Sequence, residues 1–270
     1  RPPFSIVGEA LALLIAYRAK PDPAPIKIDA NESPWPLPEA ARLRVAEVLA
    51  GTPLHRYPDG SATELKAALA ERLGARPEQL LVGAGSDEVI GILMAAFDRP
   101  RDGDRAAVLY PTPTFVMYPV TSRVHGLSPI EVPLDESFGL DVPAIRAALA
   151  RHATNLVFLA SPNNPTGNRF ADDAIEQIVR AAPETLVIID EAYVPFAGRS
   201  LGDWTERYPN VAVMGTLSKV GLAGLRVGWI RMHEELVLEA DKARPPYNLG
   251  VLAQRLATLF LTELAGGFTA

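Results

Sequence analysis

Five polar residues in the second half of the chain follow one another in an order that suits one kind of chemistry. Asn164 lies in SPNNPTGN, and Asp190 and Tyr193 lie in the later segment VIIDEAYVPF. Lys219 and Arg226 follow in TLSKVGLAGLRVG. A lysine amine binds an aldehyde covalently once nearby positive charge or desolvation activates it. An amine, an acid, hydrogen-bonding groups and an arginine together are what pyridoxal phosphate (PLP) requires, so this order predicts a PLP site.

Asp190 is the predicted partner of the pyridine nitrogen of that cofactor. It ends the apolar run 186–189, which predicts that its side chain is buried. A buried aspartate needs a positive partner or several donors, and PLP withdraws electrons best when its ring nitrogen stays protonated. A turn-capping Asp and the acid of a Walker B segment remain alternatives. The Walker interpretation is disfavoured because the sequence contains no GxxxxGK[ST] phosphate loop.

The remaining ring contacts are expected from three residues. Tyr193 and Asn164 can hydrogen-bond the ring hydroxyl oxygen, and Phe115 can stack on the ring face. Each has a simpler alternative when taken alone: a packed aromatic for Tyr193 and Phe115, and an Asn-Pro turn for Asn164.

The phosphate group is expected at the start of a predicted helix. Gly85, Ser86 and Asp87 open that helix, and the free backbone N–H groups of a helix N-terminus bind phosphate. Ser86 alone is equally well explained as an N-cap. Further donors to the phosphate are expected from a later segment: Thr216, Ser218 and Arg226, an arginine being able to bind phosphate through two nitrogens.

Hydrophobic patterns place these residues on an α/β scaffold. The predicted strands are Leu80–Val82, Ala106–Leu109, Leu127–Val132, Leu156–Leu159, Leu186–Ile189, Val211–Met214 and Val227–Ile230. The predicted helices are Glu39–Ala50, Ser86–Phe97, Phe115–Val124, Val142–Ala150, Asp172–Ala181 and Glu234–Ala243. Several strands are continuous apolar runs, as expected for a mostly parallel sheet between helices. Because ligands bind beyond the carboxyl ends of such strands, Asn164, Asp190 and Thr216 are expected at one edge.

Local signals add detail near the amino terminus. Prolines crowd residues 20–38 and predict an extended arm, because proline fixes φ and donates no backbone hydrogen bond. The tetrapeptide Ser61-Ala62-Thr63-Glu64 predicts a capping box, and Gly74 is expected to close the helix that it opens.

Bulk composition narrows the class of protein. The chain has 270 residues, is 48% hydrophobic and carries a formal net charge of -6 with interspersed acids and bases. That balance argues against binding of nucleic acid or acidic membranes. The sequence has no cysteine, and its four histidines lack metal-ligand spacing, so no metal site is expected. The apolar stretch Ile6–Ala16 is too short to span a bilayer, and we expect a helix or an arm that packs on a partner, in a protein that is cytoplasmic by default.

Eight segments resemble the class I and II aminotransferases of PLP fold type I, over Ile26 to about Tyr247. They are IKIDANESPWPLP (26–38), HRYPDG (55–60), GAGSDE (83–88), YPTPTFVMY (110–118), SPNNPTGN (161–168), IIDEAYVPF (188–196), TLSKVGLAGLRVGW (216–229) and RPPYNLG (244–250). HRYPDG together with RPPYN is similar to the subgroup that acts on histidinol phosphate.

The resemblance implies a role for each candidate residue. Lys219 attaches the cofactor and then moves the substrate proton, while Asp190 pairs with the pyridine nitrogen. The ring-oxygen and phosphate contacts are those given above. Tyr57 is expected to reach the phosphate bound in a neighbouring subunit, which implies a homodimer with shared active sites. Tyr17 and Asn31 are expected near the substrate, and Tyr57, Phe115 and Asn248 are expected to line its pocket.

The resemblance also implies a domain organisation. Residues 1–50 form an N-terminal arm and part of a small domain, residues 51–250 form the large PLP-binding domain, and residues 251–270 begin a small domain that is incomplete. Chains of this family continue well past the position of Ala270, where the arginine for the substrate carboxylate or phosphate is expected.

The implied reaction passes an amino group from a small-molecule donor to a 2-oxo acid. For the subgroup, the pair is histidinol phosphate and 2-oxoglutarate, a step of histidine biosynthesis. An aromatic amino-acid aminotransferase and a threonine-phosphate decarboxylase remain alternatives. A PLP-binding protein without catalysis is the alternative from another class.

Overall fold

Short apolar segments form one sheet in the computed structural model, which describes residue 14 and residues 30–264. The strands are β1 (Leu80–Ala84), β2 (Ala107–Thr112), β3 (Ser128–Pro133), β4 (Thr154–Ala160), β5 (Leu186–Asp190), β6 (Val211–Thr216) and β7 (Val227–Arg231). Each predicted strand is confirmed, with ends that differ by up to three residues. The arm 1–29, with Tyr17 and the apolar stretch, lies outside the described residues apart from Leu14.

The sheet is mostly parallel, as predicted. Its spatial order is β1-β7-β6-β5-β4-β2-β3. Neighbouring strands from β3 to β6 run parallel, whereas β7 is antiparallel to both β1 and β6. The carboxyl ends of β4, β5 and β6 therefore meet at one edge, where Ala160 pairs with Asp190 and Asp190 pairs with Met214.

Helices cover both faces of the sheet. They are α1 (Glu39–Ala50), α2 (Thr63–Leu73), α3 (Ser86–Ala96), α4 (Met117–Val124), α5 (Val142–Arg151), α6 (Asp172–Ala181), α7 (Trp204–Arg207), α8 (Glu234–Asp241) and α9 (Val251–Thr262). Every predicted helix is confirmed, although α4 begins two residues later than predicted. Sequence reasoning missed α7 and α9. Among the described residues, no helix has the length and apolar character needed to cross a membrane.

Side chains of consecutive strand residues pack on opposite faces, which gives the sheet two cores. Phe158 and Ile188 join a cluster with α3, α4 and α8, whereas Val157 and Val187 join a cluster with α5, α6 and α7. This alternation is the period of two that a strand imposes, and it explains why residues 156–160 of β4 and 186–189 of β5 form continuous apolar runs. A third cluster joins β1 and β7 to α2 and α9.

The capping-box prediction at Ser61–Glu64 is wrong. The residue before α2 is Ala62, in a left-handed conformation with φ of 49°, and no side chain caps the helix there. The carboxylate of Asp59 accepts instead from the backbone N–H groups of Ser61 (2.9 Å) and Thr63 (2.7 Å). An aspartate that folds back on its own backbone in this way forms a turn that replaces the expected box. The helix ends as predicted at Gly74, whose φ of 59° suits glycine.

Candidate active site

A cavity opens at the carboxyl edge of the sheet, where the predicted residues come together. It has a volume of about 540 Å³, part of it open to solvent. Ten predicted residues line it: Ser86, Asp87, Phe115, Asn164, Asp190, Tyr193, Thr216, Ser218, Lys219 and Arg226. These residues come from five separate segments of the sequence, so the topology of the sheet is what gathers them.

Asp190 is buried at the end of β5, with 5% of its surface exposed. Its Oδ2 accepts a hydrogen bond from the hydroxyl of Tyr118 at 2.6 Å, and its Oδ1 accepts from the backbone N–H of Ala192 at 3.0 Å. Burial raises the pKa of the Asp190 carboxyl, although the Tyr118 hydrogen bond and the charge of Lys219 oppose that rise. A buried carboxylate that still lines a cavity is poised to receive a cation.

Tyr118 is a residue that sequence reasoning missed. It lies on α4, is fully buried, and stacks on Phe158 with ring centroids 4.8 Å apart. Burial raises the pKa of the Tyr118 phenol well above its ordinary value, so the hydroxyl remains a proton donor to Asp190. One signal was present in the sequence. Tyr118 follows Phe115 by three residues, and a helical turn there places both near the same site.

Lys219 follows β6 in the short 3-10 turn Ser218–Val220, which ends at Gly221 with φ of 88°. Its Nζ lies 5.4 Å from the centre of the Tyr193 ring and donates to the backbone carbonyl oxygen of Ala30 at 3.1 Å. The amine therefore lies beside Ala30, at the start of the continuous segment that the structure describes.

Tyr193 is placed by a second contact with the arm. The amide Nδ2 of Asn31 donates to the Tyr193 hydroxyl at 2.9 Å. Asn31 was expected near the substrate, and the structure places it on this cavity-lining tyrosine. Asn164 lines the same wall, next to Asn163, which is buried and donates to the carbonyl oxygen of Pro113 at 3.0 Å.

Hydroxyl groups and one arginine line the opposite end of the cavity. The Thr216 and Ser218 hydroxyls are 2.9 Å apart, and Arg226 donates to Ser218 Oγ at 3.3 Å. The Nη2 of Arg226 also lies 3.1 Å from Asp87 Oδ2, in an ion pair whose two side chains are nearly half exposed. These donors converge beside Ser86 at the start of α3, as a phosphate site requires.

Glycines permit the close approach of backbone segments around this end. A Cβ atom on Gly228 would lie 2.4 Å from the carbonyl carbon of Gly85 and from the amide nitrogen of Ser86. Gly85 itself has φ of 81°, and a Cβ there would lie 2.4 Å from Arg226 Nη2. By contrast, a Cβ on Gly224 would meet no atom within 4 Å. The turn between β1 and α3 is therefore pressed directly against β7.

Two sequence-based expectations concern residues that lie off the cavity. Tyr57 is 81% exposed and stacks on Tyr247 at a centroid distance of 4.7 Å. Its predicted contact with a neighbouring subunit remains a prediction. Asn248 was expected to line the substrate pocket; it does not line the cavity around Lys219, and its contact with substrate remains a prediction. Its amide donates to Glu88 Oε2 at 2.6 Å and to the carbonyl oxygen of Val82 at 3.3 Å, so it belongs to the support of β1 and α3.

A wider cavity of about 820 Å³ adjoins the first one. The two cavities share Pro162, Asn164 and Tyr193, and Arg169 and Phe196 line the outer part. The Arg169 guanidinium is paired with Asp172 at 2.9 Å. The two cavities therefore adjoin along the wall that Asn164 and Tyr193 form.

The residues of the first cavity fit the cofactor that the resemblance implies. Asp190 supplies a buried anion for a ring nitrogen, and Lys219 supplies an amine on the same cavity. Arg226 and the neighbouring hydroxyls suit a phosphate, and Phe115 is available for the ring face. Its ring meets Tyr118 edge to face at 5.6 Å.

Comparison with known proteins identifies aminotransferases as the relatives of this chain. The family described as "Aminotransferase class I and II" matches residues 23–263. The histidinol-phosphate aminotransferase of Paracidovorax citrulli is 43% identical over 263 residues, covering 94% of this chain and 70% of the relative. The enzyme of the same name from Methylibium petroleiphilum is 45% identical over 251 residues, covering 92% of this chain and 66% of the relative.

A solved structure shows the same fold. The histidinol-phosphate aminotransferase of Sinorhizobium meliloti, in complex with pyridoxal-5'-phosphate, aligns with a TM-score of 0.83 at 24% identity. The alignment covers 98% of this chain and 73% of that chain. The chain thus spans roughly two thirds to three quarters of the length of the proteins it matches.

Proposed function

The chain belongs to the family of class I and II aminotransferases, and on that premise we propose that it is a PLP-dependent enzyme which transfers the amino group of histidinol phosphate to 2-oxoglutarate. The products are imidazole acetol phosphate and glutamate. The observation that carries the proposal is a single cavity in which the amine of Lys219 and the buried carboxylate of Asp190 occur together.

The cofactor supplies an electron-withdrawing ring that stabilises negative charge at the substrate carbon next to the nitrogen. Residues of this chain would contact the cofactor at two places, its ring nitrogen and its phosphate. Asp190 keeps the ring nitrogen protonated, and the Tyr118 hydroxyl and the Ala192 amide hold the carboxylate in place. At the other end, Arg226 and the hydroxyls of Thr216 and Ser218, which contact one another, would bind the phosphate.

Lys219 has two tasks in this proposal. Its Nζ would hold the cofactor covalently, and with an amino donor bound the free amine would take the proton from the donor's α-carbon and pass it to the cofactor within the same half-reaction. With 2-oxoglutarate bound, the same amine would carry a proton in the opposite direction. The hydroxyl of Tyr193 is 2.9 Å from the Asn31 amide and lies on the same wall as Asn164. These polar groups would hydrogen-bond the ring oxygen of the cofactor.

The substrate assignment rests on the names of the relatives. A phosphate-bearing donor requires a cation of its own, and charge-assisted hydrogen bonds discriminate better than an apolar slot. Arg226 is committed to the cofactor phosphate and to Asp87. We therefore propose that the second cation comes from a residue outside residues 30–264, and Arg18 is the candidate on this chain.

A homodimer with shared active sites is part of the same proposal, as is a cytoplasmic location for a biosynthetic enzyme. The exposed stack of Tyr57 and Tyr247 supports the dimer, because paired aromatic side chains at a surface are typical of interfaces. Mixing inactive Tyr57→Phe and Lys219→Ala proteins should restore part of the activity, since one site of a mixed dimer then holds both native residues. A fully active protein that sediments as a monomer would refute the dimer.

The substrate proposal is tested by comparing kcat/KM for histidinol phosphate, phenylalanine, tyrosine and threonine phosphate, with 2-oxoglutarate as acceptor. Histidinol phosphate should be the best donor. If tyrosine or phenylalanine equals it, the substrate is wrong and the amino-transfer reaction stands. Release of carbon dioxide from threonine phosphate without amino transfer would contradict both.

A further inference from the structure

The turn that joins β1 to α3 contains a glycine with positive φ and is stabilised by a backbone hydrogen bond. Within it, the Gly85 N–H donates to the carbonyl oxygen of Gly83 at 2.8 Å, and Gly85 adopts φ of 81°. This turn delivers Ser86 and Asp87 to the cavity. A small change in its path would move the N-terminus of α3 away from any phosphate bound there.

Two side chains that do not line the cavity hold the turn. Oε2 of Glu88 accepts a hydrogen bond from the backbone N–H of Ala84 at 2.6 Å and another from Asn248 Nδ2 at 2.6 Å. The same amide nitrogen of Asn248 also donates to the carbonyl oxygen of Val82 at 3.3 Å. Glu88 and Asn248 thus tie β1, the turn and α3 to the segment RPPYN, which lies 160 residues away in sequence.

Asn248 is itself fixed in one orientation. Its Oδ1 accepts from Arg244 Nη1 at 3.0 Å, and the Nε of Arg244 is paired with Asp241 at 2.6 Å. The Arg244 side chain is only 13% exposed. Because the arginine occupies the oxygen, the amide nitrogen must face Glu88. A series of hydrogen bonds thus runs from Asp241 through Arg244 and Asn248 to Glu88. It ends in the charge-assisted hydrogen bond that the Glu88 carboxylate accepts from the backbone of the turn.

We propose that Glu88 and Asn248 are positioning residues for the cofactor phosphate: they hold the turn 83–86 so that the start of α3 and Arg226 can bind it together. This inference rests on the proposed function, since it takes the phosphate of PLP as the ligand. Neither residue lines the cavity, so both act through the backbone of the turn.

The test compares two ligands that differ only in the phosphate. Dissociation constants of PLP and of pyridoxal are measured by absorbance and fluorescence titration of the cofactor-free protein. In the wild-type protein, PLP should bind about 100-fold tighter than pyridoxal or better, because only PLP carries the charged group. Removal of the side-chain amide in Asn248→Ala should weaken PLP binding roughly 10- to 100-fold, the range for a lost hydrogen bond to a charged group. Pyridoxal binding should change little.

Asn210→Ala is the matched control. Asn210 is half-buried like Asn248, and its amide donates to the carbonyl oxygens of Ala182 (2.8 Å) and Val179 (3.1 Å), at the amino end of β6 and away from the cavity. The ratio of PLP to pyridoxal affinity should stay at the wild-type value in this variant. Loss of side-chain hydrogen bonds in general would lower stability in both variants without changing that ratio.

Glu88→Gln provides a second, more conservative variant, which decides the question if Asn248→Ala does not fold. It keeps the size of the side chain and removes the charge, so the PLP-to-pyridoxal ratio should fall in the same direction. An unchanged ratio in the folded variants, or equal weakening of both ligands, overturns the inference while leaving the cofactor site intact. If the wild-type protein itself binds PLP no better than pyridoxal, the proposed phosphate site fails first.

Discussion

The hydroxyl of Tyr118 donates to Oδ2 of Asp190 at 2.6 Å, and both side chains are buried. This hydrogen bond opposes the rise in the Asp190 pKa that burial causes. The ionised carboxylate, which a protonated ring nitrogen needs, therefore depends on a tyrosine that does not react.

Tyr118→Phe should retain the stacking on Phe158 and lose this donor. The pKa of Asp190 should then rise further, and cofactor should still bind. Turnover should fall by a factor of roughly 10 to 100, because a hydrogen bond to a charged group contributes about 1.5–3 kcal/mol. Single-turnover kinetics across a pH series measures the effect. Tyr110→Phe is the control, since the Tyr110 hydroxyl contacts Glu131 at 3.1 Å and not the cavity. Equal rates in the two variants would contradict the role of Tyr118.

Asp190→Asn should separate stability from function. Because burial raises the Asp190 pKa, the ionised side chain destabilises the cofactor-free fold. That cost is absent at pH values below the ordinary aspartate pKa of about 3.9 and is complete above the raised value. At neutral pH, cofactor-free Asp190→Asn should thus be more stable than wild type, each unit of pKa shift corresponding to about 1.4 kcal/mol.

With PLP added, the wild-type protein should become more stable than Asp190→Asn. A ligand stabilises a protein by its affinity for the folded state, and the amide offers no anion to a ring nitrogen. The rise in Tm on adding PLP should be clearly larger for wild type, and Asp190→Asn should show little turnover. A variant whose cofactor-free Tm lies below that of wild type would show that the buried charge is not costly.

Two glycines of GLAGLRVG allow a matched pair of substitutions. Gly228→Ala places a methyl group 2.4 Å from backbone atoms of Gly85 and Ser86, which cannot rotate away. We expect a loss of stability of about 1–3 kcal/mol or more, together with weak PLP binding. Gly224→Ala meets open space and should stay within about 1 kcal/mol of wild type. Urea unfolding gives both values, and equal midpoints would show that β7 does not press on the turn.

Much of the sheet followed from the sequence because its strands are buried on both faces. A continuous apolar run such as 186–189 that lies between predicted helices is interpreted as a buried parallel strand. The residues at the carboxyl ends of such strands then lie at one edge of the sheet. The positions of Asn164, Asp190 and Lys219 on one cavity follow from that rule. The helix α9 was missed although its apolar residues pack on α2, because no element was assigned after residue 250.

Other features depend on contacts that no local pattern encodes. Tyr118 reaches Asp190 across 72 residues of sequence, and Asn248 reaches Glu88 across 160. Sequence reasoning placed Asn248 in the substrate pocket because it stands beside other motif residues. In the folded chain, its amide nitrogen donates hydrogen bonds to the carboxylate of Glu88 and to the backbone carbonyl oxygen of Val82. The capping box at Ser61 failed for a local reason, since the carboxylate of Asp59 accepts from the backbone N–H groups of Ser61 and Thr63.

The central claim is that Lys219 is the amine that holds PLP, and one measurement tests it most directly. The protein is incubated with PLP, reduced with borohydride to fix the covalent bond, digested, and mapped by mass spectrometry. The label should lie on Lys219, which lines the cavity with Asp190. Lys66 is the informative competitor, because burial lowers the pKa of its amine and so favours the reactive neutral form. Stoichiometric label on Lys219 that disappears in Lys219→Ala is the predicted result, and label on Lys66 or Lys242 with Lys219 unmodified would contradict the account.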